Sequence, residues 1–88
     1  MKEKSVTIKL DDGIHARPAA ILVQKASSYP NTTIKIRRED VEIDAKSIMS
    51  IMMLALTYGS QITIIADGDE EDVAIEEISN LIESNFQI

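Results

Sequence analysis

The sequence predicts a two-layer α+β fold in which three helices cover one face of a four-stranded, mainly antiparallel sheet. Four short segments alternate apolar and polar residues, which is typical of strands with one buried face. Three longer segments carry apolar residues at helical spacing, and the elements follow the order β-α-β-β-α-β-α. The polar residues of the strands indicate that the second face of the sheet is open to water.

The length and the apolar content bound the kind of site that the chain can build. Its 88 residues predict one domain spanning residues 1–88. The apolar fraction of 44% suffices for a folded core, which must be aliphatic because the chain has only two Tyr and one Phe. A core of this size leaves little room for an enclosed active site, which favours a surface site used by a partner protein.

The charge and the cysteine and histidine content exclude several classes of function. Nine Lys and Arg against fifteen Asp and Glu give a net charge of −6, which makes general nucleic-acid binding unfavourable. No apolar run approaches the roughly 20 residues needed to insert into a membrane, and the N-terminus does not resemble a signal peptide. With no cysteine and one histidine we expect no disulfide, no metal site and no cofactor, and a cytoplasmic location fits.

The first third of the chain predicts a strand, a tight turn and a helix. Residues 11–13, Asp-Asp-Gly, interrupt the strand pattern. The helix is predicted over residues 16–28, where Pro18 suits the first turn because its missing amide hydrogen is not needed there. The strand is carried by Val6, Ile8 and Leu10, and the helix by Ala19, Leu22, Val23 and Ala26.

The middle of the chain predicts a β-hairpin. Residues 32–37 alternate again, and the pattern resumes at Val41 and Ile43. Arg38-Glu39-Asp40 is predicted to form the hairpin loop, although it lacks the glycine that tight hairpins favour.

A second helix, a fourth strand and a third helix complete the prediction. Ser47 is expected to open a helix that runs to about Tyr58 and ends at Gly59, which suits the left-handed residue after a helix. The fourth strand is predicted over residues 60–66 and the last helix over about 70–84. One side of the second helix is predicted to be shared by Ile48, Ile51, Met52 and Ala55.

The segment Gly-Ile-His-Ala-Arg-Pro-Ala, residues 13–19, is the main candidate for a functional site. Gly13 permits a tight turn and Pro18 fixes the first helical turn, so His15 is expected at the helix N-terminus with Arg17 beside it. Free backbone amides and the positive end of the helix dipole meet there and suit an anion. A phosphoryl group accepted by the ring would be stabilised by these donors, which favours reversible transfer over hydrolysis. A plain cap or surface histidine is the alternative interpretation.

The same segment resembles the active-site signature of HPr, the histidine-containing phosphocarrier protein of the bacterial sugar phosphotransferase system. The resemblance covers essentially the whole chain in length and element order. A second segment, Lys46-Ser47-Ile48-Met49, resembles the regulatory-serine region of HPr proteins from Gram-positive bacteria.

The resemblance implies a phosphocarrier that is not itself an enzyme. Nδ1 of His15 would accept a phosphoryl group from enzyme I, which obtains it from phosphoenolpyruvate, and pass it to an EIIA domain of a sugar permease. Arg17 would stabilise the phosphoryl oxygens. HPr-like chains form an open-faced sandwich of a four-stranded antiparallel sheet and three helices, which matches the predicted order, and a monomer is the simplest state.

Ser47 has two interpretations that use the same position. A serine before an apolar helix is a good N-cap. The resemblance implies in addition that an HPr kinase/phosphorylase modifies Ser47, and that the product binds a catabolite-control repressor. Phosphorylation would add about −1.5 to −2 charge at a helix N-terminus, which could repel an acidic partner such as enzyme I.

The second helix also predicts a docking surface. A short helix cannot turn all of its apolar residues inward, so we expect an exposed patch beside Ser47 and near His15. Its predicted docking residues are Ile48, Met49 and Met52, with Lys46 next to them. Core filling is the alternative for Met52 and Met53.

Three residues or segments depart from the usual HPr pattern and keep other functions open. Ser50 stands where the motif has glycine, Asp12 where many relatives have a small or amide residue, and the interval from His15 to Ser47 is one residue longer. One alternative is a regulatory HPr-like paralogue that acts mainly through Ser47, although a known paralogue of this kind lacks the histidine that is present here. The other is a small ferredoxin-like domain, such as an acylphosphatase or an amino-acid-binding module, which would leave the His15 segment unexplained.

Overall fold

A computed structural model describes residues 1–86 of the chain. The expected domain of residues 1–88 includes two residues that lie outside this described range. Seven elements follow the predicted order: β1 (Lys2–Thr7), α1 (Ala16–Ser27), β2 (Thr32–Arg38), β3 (Val41–Asp44), α2 (Ile48–Met53), β4 (Gln61–Gly68) and α3 (Glu71–Glu83).

The four strands form one antiparallel sheet in the order β1-β4-β2-β3. The central strands β2 and β4 pair from Thr32 opposite Gly68 to Arg37 opposite Thr63. All three helices lie on one face, where alternate residues of the central strands are fully buried: Ile34, Ile36, Ile62, Ile64 and Ala66. The predicted open-faced, two-layer α+β fold is therefore confirmed.

The other face of the sheet is polar except at Ile65. Glu3 and Lys35 stand opposite Ile65 on the two neighbouring strands, so their side chains share its face. Ile65 is only 7% exposed although it lies outside the main core. The aliphatic parts of the flanking charged side chains account for this burial, because long charged residues can cover apolar surface while their head groups stay in water.

Strand β1 begins and ends earlier than the apolar pattern predicts. Lys2 and Lys4 belong to it although neither is apolar, because their backbone pairs with Ala66 and Ile64 of β4. Their ammonium groups also reach Asp72 and Glu83 of α3 at 3.4 and 3.7 Å. The regular ladder stops at Thr7. Beyond it, Ile8 donates to the Ser60 carbonyl and accepts from the Gly59 amide, both at 2.8 Å, which explains why its side chain is buried like that of Val6.

Helix α2 is much shorter than predicted. It ends at Met53, and Leu54 is its C-cap. The left-handed residue after it is Ala55, with a φ of 52°, whereas Gly59 adopts a φ of 87° in the turn before β4. The expectation that the helix reaches Tyr58 is wrong, because the glycine that suits a helix end serves a later turn.

The start of α3 is tied to the turn after β4. The Gly68 amide donates to Oε1 of Glu71 at 3.1 Å, and this hydrogen bond lowers the pKa of the Glu71 carboxyl. Because the folded-state pKa is lowered, this contribution to stability is present above the ordinary pKa of a glutamate and is lost on acidification.

No helix within residues 1–86 is long and apolar enough to cross a bilayer.

Replacing Ala55 by glycine should stabilise the chain. An L-residue in the left-handed region costs roughly 1–2 kcal/mol, and the larger unfolded-state entropy of glycine offsets roughly 0.5–1 kcal/mol of that gain. We expect Ala55→Gly to raise the free energy of unfolding by about 0.5–1 kcal/mol in a urea titration. Ala20→Gly, inside α1, is the matched control and should lower it by about 1 kcal/mol. A fall with Ala55→Gly as large as that of the control would contradict the strain at Ala55.

Candidate functional site

The loop that leads into α1 rests on the backbone that follows α2. Gly13 closes a turn by donating to the Leu10 carbonyl at 2.9 Å, and the next amide, that of Ile14, donates to the Leu56 carbonyl at 2.9 Å. Gly13 has a φ of 70°, and a Cβ there would overlap the Leu56 carbonyl oxygen and come within 2.8 Å of Cα of Thr57. Only glycine fits this close approach, which fixes the backbone immediately before His15.

His15 is the N-cap residue of α1, as predicted. Its carbonyl accepts the first helical hydrogen bond, from the Ala19 amide at 3.0 Å. The amides of Ala16 and Arg17 therefore lie ahead of the helical hydrogen bonds, at the positive end of the helix. The imidazole is exposed and makes no capping hydrogen bond, so the plain cap interpretation does not describe it.

Arg17 is the second residue of α1, two residues after His15, and is also exposed. This turn contains no acidic residue. None of the ion pairs formed within residues 1–86 involves Arg17, so its guanidinium is available to an incoming anion. The nearest acids in the sequence, Asp11 and Asp12, are exposed in the turn before Gly13.

A shallow depression of about 340 Å³ surrounds His15. Sequence reasoning did not anticipate the part of its wall that comes from the end of α3. There Phe86 donates to the Leu81 carbonyl and Asn85 to the Ile82 carbonyl, with Asn85 left-handed, which is a Schellman motif. An asparagine followed by an apolar residue after a helix is the signal that could have predicted this turn. The depression is lined by Leu10, His15, Arg17, Pro18, Ile21, Asn85 and Phe86.

This arrangement can accept and stabilise an anionic group but is not enclosed enough to exclude water from a reaction. The imidazole, two free amides and the Arg17 guanidinium belong to one exposed helix end, and His15 and Arg17 line the same depression. Among residues 1–86, no three His, Asp or Glu side chains are grouped so as to hold a metal ion. The site therefore suits a group that is delivered by another macromolecule.

Ser47 is the N-cap residue of α2, as predicted. Its Oγ accepts from the Ser50 amide at 3.3 Å, and its carbonyl accepts from the Ile51 amide at 3.1 Å. The serine at position 50 uses only its backbone in this cap, so glycine is not required there for the helix to begin. The Ser47 side chain is half-buried.

Lys46 is engaged inside the chain. Its Nζ donates to the carbonyls of Tyr29, which follows α1, and Thr32, the first residue of β2, both at 2.8 Å. Its own amide donates to Oδ1 of Asp44 at 2.9 Å. The ammonium group is therefore shared with two backbone carbonyls, and a docking role for Lys46 stays a prediction.

The exposed face of α2 forms the apolar patch that the sequence predicts beside Ser47. Met49 and Met53 are 70% and 80% exposed, and Ile48 and Met52 are about two-fifths exposed. Only Ile51 of this helix is buried. The alternative that Met52 and Met53 fill the core is wrong, because a six-residue helix offers the core little more than one side chain. We call Ile48, Met49, Met52 and Met53 the α2 patch.

The structure places His15 and Ser47 at opposite ends of α2. Ser47 precedes the helix, whereas the His15 loop is bonded to Leu56, which follows it. Six helical residues span about 9 Å. A partner that covers the α2 patch could therefore contact both residues, although they do not contact each other.

Comparison with known proteins agrees with this architecture. Residues 2–84 match the family model PTS-HPr, described as the PTS HPr component phosphorylation site. The HPr-like protein Crh of Halalkalibacterium halodurans is 43% identical over 94% of this chain and 98% of its own length. The phosphocarrier protein HPr of Treponema pallidum is 36% identical over 99% and 98%.

Solved structures show the same fold. A crystal structure of HPr from Thermoanaerobacter tengcongensis matches with a TM-score of 0.93 at 43% identity, covering 98% of this chain and 96% of that one. Crh of Bacillus subtilis, solved as a dimer with a swapped domain, matches with a TM-score of 0.78 at 32% identity over both full lengths.

Removing the Lys46 ammonium should destabilise the chain. Two hydrogen bonds from a charged donor are lost, and we expect Lys46→Met to lower the free energy of unfolding by about 1–2 kcal/mol in urea. Lys9→Met, at an exposed position, is the control and should change it by less than about 0.5 kcal/mol. Unchanged stability in Lys46→Met would contradict the structural role and leave partner docking as the function of this residue.

Proposed function

The chain belongs to the PTS-HPr family, and on that premise we propose that it carries a phosphoryl group on His15 from enzyme I to EIIA domains of sugar permeases. The observation that carries this proposal is an exposed histidine at the start of α1 whose side chain makes no capping hydrogen bond. Two free amides and the Arg17 side chain belong to the same helix start. A regulatory paralogue without a working histidine would have no need of that arrangement.

The transfer is a displacement at phosphorus. Nδ1 of His15 attacks the phosphoryl group of phosphorylated enzyme I with its lone pair, and the bond between phosphorus and the nitrogen of enzyme I breaks. The amides of Ala16 and Arg17 and the Arg17 guanidinium stabilise the charge on the phosphoryl oxygens. In the second transfer, a histidine of EIIA attacks the phosphoryl group on His15, and the bond between phosphorus and Nδ1 of His15 breaks.

The openness of the site fits a carrier. Two different partners must each bring a reactive histidine to the same ring nitrogen, which requires a donor and an acceptor to approach without a lid in the way. His15 lies in a shallow depression at the surface, and its loop is hydrogen-bonded to Leu56 in the segment that follows the α2 patch. We propose that both partners dock on Ile48, Met49 and Met52 of this patch.

Regulation through Ser47 is the second part of the proposal. Sequence identity to the relatives does not distinguish a carrier from a regulatory protein, because both kinds are similar to this chain. The Crh relative is 43% identical and the HPr relative is 36% identical. Ser47 caps α2 next to the apolar patch, so a phosphate there would place a charge at the docking surface. A partner that docks there would have to remove water from this charge. In a Gram-positive source, an HPr kinase/phosphorylase would add it and a catabolite-control repressor would read it.

We propose that the chain works as one monomeric domain in the cytoplasm. The swapped dimer reported for Bacillus subtilis Crh is the competing state. Light scattering after gel filtration measures the mass directly, and a dimer at micromolar concentration would contradict the monomer.

Phosphorylation of His15 is the central prediction. We expect the protein, mixed with phosphoenolpyruvate, Mg²⁺ and enzyme I of the same organism, to gain one phosphoryl group in intact mass spectrometry. The gain should persist at neutral pH and disappear in acid, because a phosphorus–nitrogen bond at an imidazole is acid-labile.

The matched control for this experiment is His15→Ala. This chain has one histidine, so the variant removes the only acceptor of that type without touching the core. An acid-labile gain that persists in the variant would refute the assignment, and no gain in the parent protein would overturn the carrier function and leave the Ser47 role as the leading one.

Phosphorylation of Ser47 is tested with ATP, Mg²⁺ and HPr kinase/phosphorylase. We expect an acid-stable gain of one phosphoryl group, and a phosphorylated product that accepts from enzyme I at least roughly tenfold more slowly because of the added charge. Ser47→Ala should show no gain, whereas Ser50→Ala, which removes the other hydroxyl in the same turn, should be modified normally. A gain retained in Ser47→Ala would place the modification elsewhere.

A further inference from the structure

Arg38 lies at the end of β2 and reaches across to the end of α2. One of its guanidinium nitrogens, Nη1, donates to the Leu54 carbonyl at 2.7 Å and to the Ala55 carbonyl at 3.0 Å. The neighbouring Arg37 points to the opposite face of the sheet, where it approaches Glu3 and Glu42 at 3.4 and 3.5 Å. Two adjacent arginines thus serve different faces.

The carbonyls that Arg38 holds belong to a helix end that lacks its usual support. Helix α2 has no basic residue in its last turn, and the left-handed position after it is filled by Ala55 instead of glycine. A guanidinium on the last carbonyls satisfies groups that would otherwise lack partners and compensates the negative end of the helix. Arg38 therefore fixes the conformation of residues 54 and 55 from outside the helix.

The next residue carries this contact to the candidate site. The Leu56 carbonyl accepts from the Ile14 amide, and Ile14 is bonded covalently to His15. Leu56 and Ile14 are both buried, at 3% and 6% exposure, so this hydrogen bond is shielded from water. Any displacement of residues 54 and 55 moves the acceptor that holds the backbone before His15.

We propose that Arg38 is a positioning residue for the phosphoryl-transfer site, acting through residues 54–56 on the loop that carries His15. Arg38 contacts neither the phosphoryl group nor a partner in this role. It sets the distance and angle at which the imidazole meets the Ala16 and Arg17 amides. The kinetic consequence rests on the proposed carrier function, whereas the structural consequence does not.

The structural arm compares Arg38→Met with Arg37→Met by hydrogen exchange of the Ile14 amide. Because hydrogen bonds to charged groups contribute enough to change an opening equilibrium by about tenfold, we expect Arg38→Met to lower protection of Ile14 by that factor. Amides of the central ladder, such as Ile36, report global unfolding and should change much less. Arg37→Met removes the same charge one residue away and should leave Ile14 unchanged.

The kinetic arm measures transfer from phosphorylated enzyme I. With Arg38→Met as the phosphoryl acceptor, we expect kcat to fall about tenfold while the KM for the acceptor changes little. The reason is that the ring is misplaced whereas the α2 patch is kept. Arg38→Lys keeps one charged donor within reach of the same carbonyls and should recover most of the rate. Arg37→Met should transfer like the parent protein.

Three outcomes would overturn the proposal. A rise in KM alone, or an equal effect of the two Met variants, would indicate direct docking or general electrostatic attraction. Equal losses of protection at Ile14 and Ile36 would indicate that Arg38 only stabilises the fold. If the parent protein accepts no phosphoryl group while Ile14 loses protection only in Arg38→Met, the carrier function is wrong and the positioning contact is supported.

Discussion

The contact between the Gly13–Ile14 backbone and the Leu56 carbonyl is the interaction on which the candidate site depends. It joins two loops, one leading into α1 and one leaving α2. Loops have a defined position only where other groups satisfy their backbone. Once this contact forms, the helix start that carries the exposed histidine is joined to the loop that follows the exposed apolar residues of α2, which is the combination that a protein with several partners needs.

Much of the fold could be predicted because alternation and helical spacing report burial directly. The core faces of β2 and β4 follow the alternation of apolar residues, and the buried residues of α3 recur at helical spacing. The errors lie at boundaries that distant residues determine. Lys2 extends β1 because its backbone pairs with Ala66 of β4, and α2 stops early where Arg38 holds the carbonyls of the two residues that follow it. Local patterns contain no information on such partners.

The same division applies to the candidate site. His15 and Ser47 could be placed at helix starts because Gly13, Pro18 and a serine before an apolar helix act locally. The contacts of the Lys46 ammonium could not, since its partners are many residues away, and neither could the place of Phe86 beside His15, although the turn that carries Phe86 is local. The α2 patch was predicted in position, but its size depends on how few residues the short helix can bury.

The position of β4 in the sheet governs when this molecule can fold during its synthesis. β4 lies between β1 and β2, yet it is the last strand to leave the ribosome. Until residue 68 has emerged, the apolar faces of β1 and β2 have no central neighbour, and the hairpin of β2 and β3 is only marginally stable alone. The nascent chain must therefore stay unfolded and exposed for most of translation, with a mainly non-local sheet that forms slowly once it is complete.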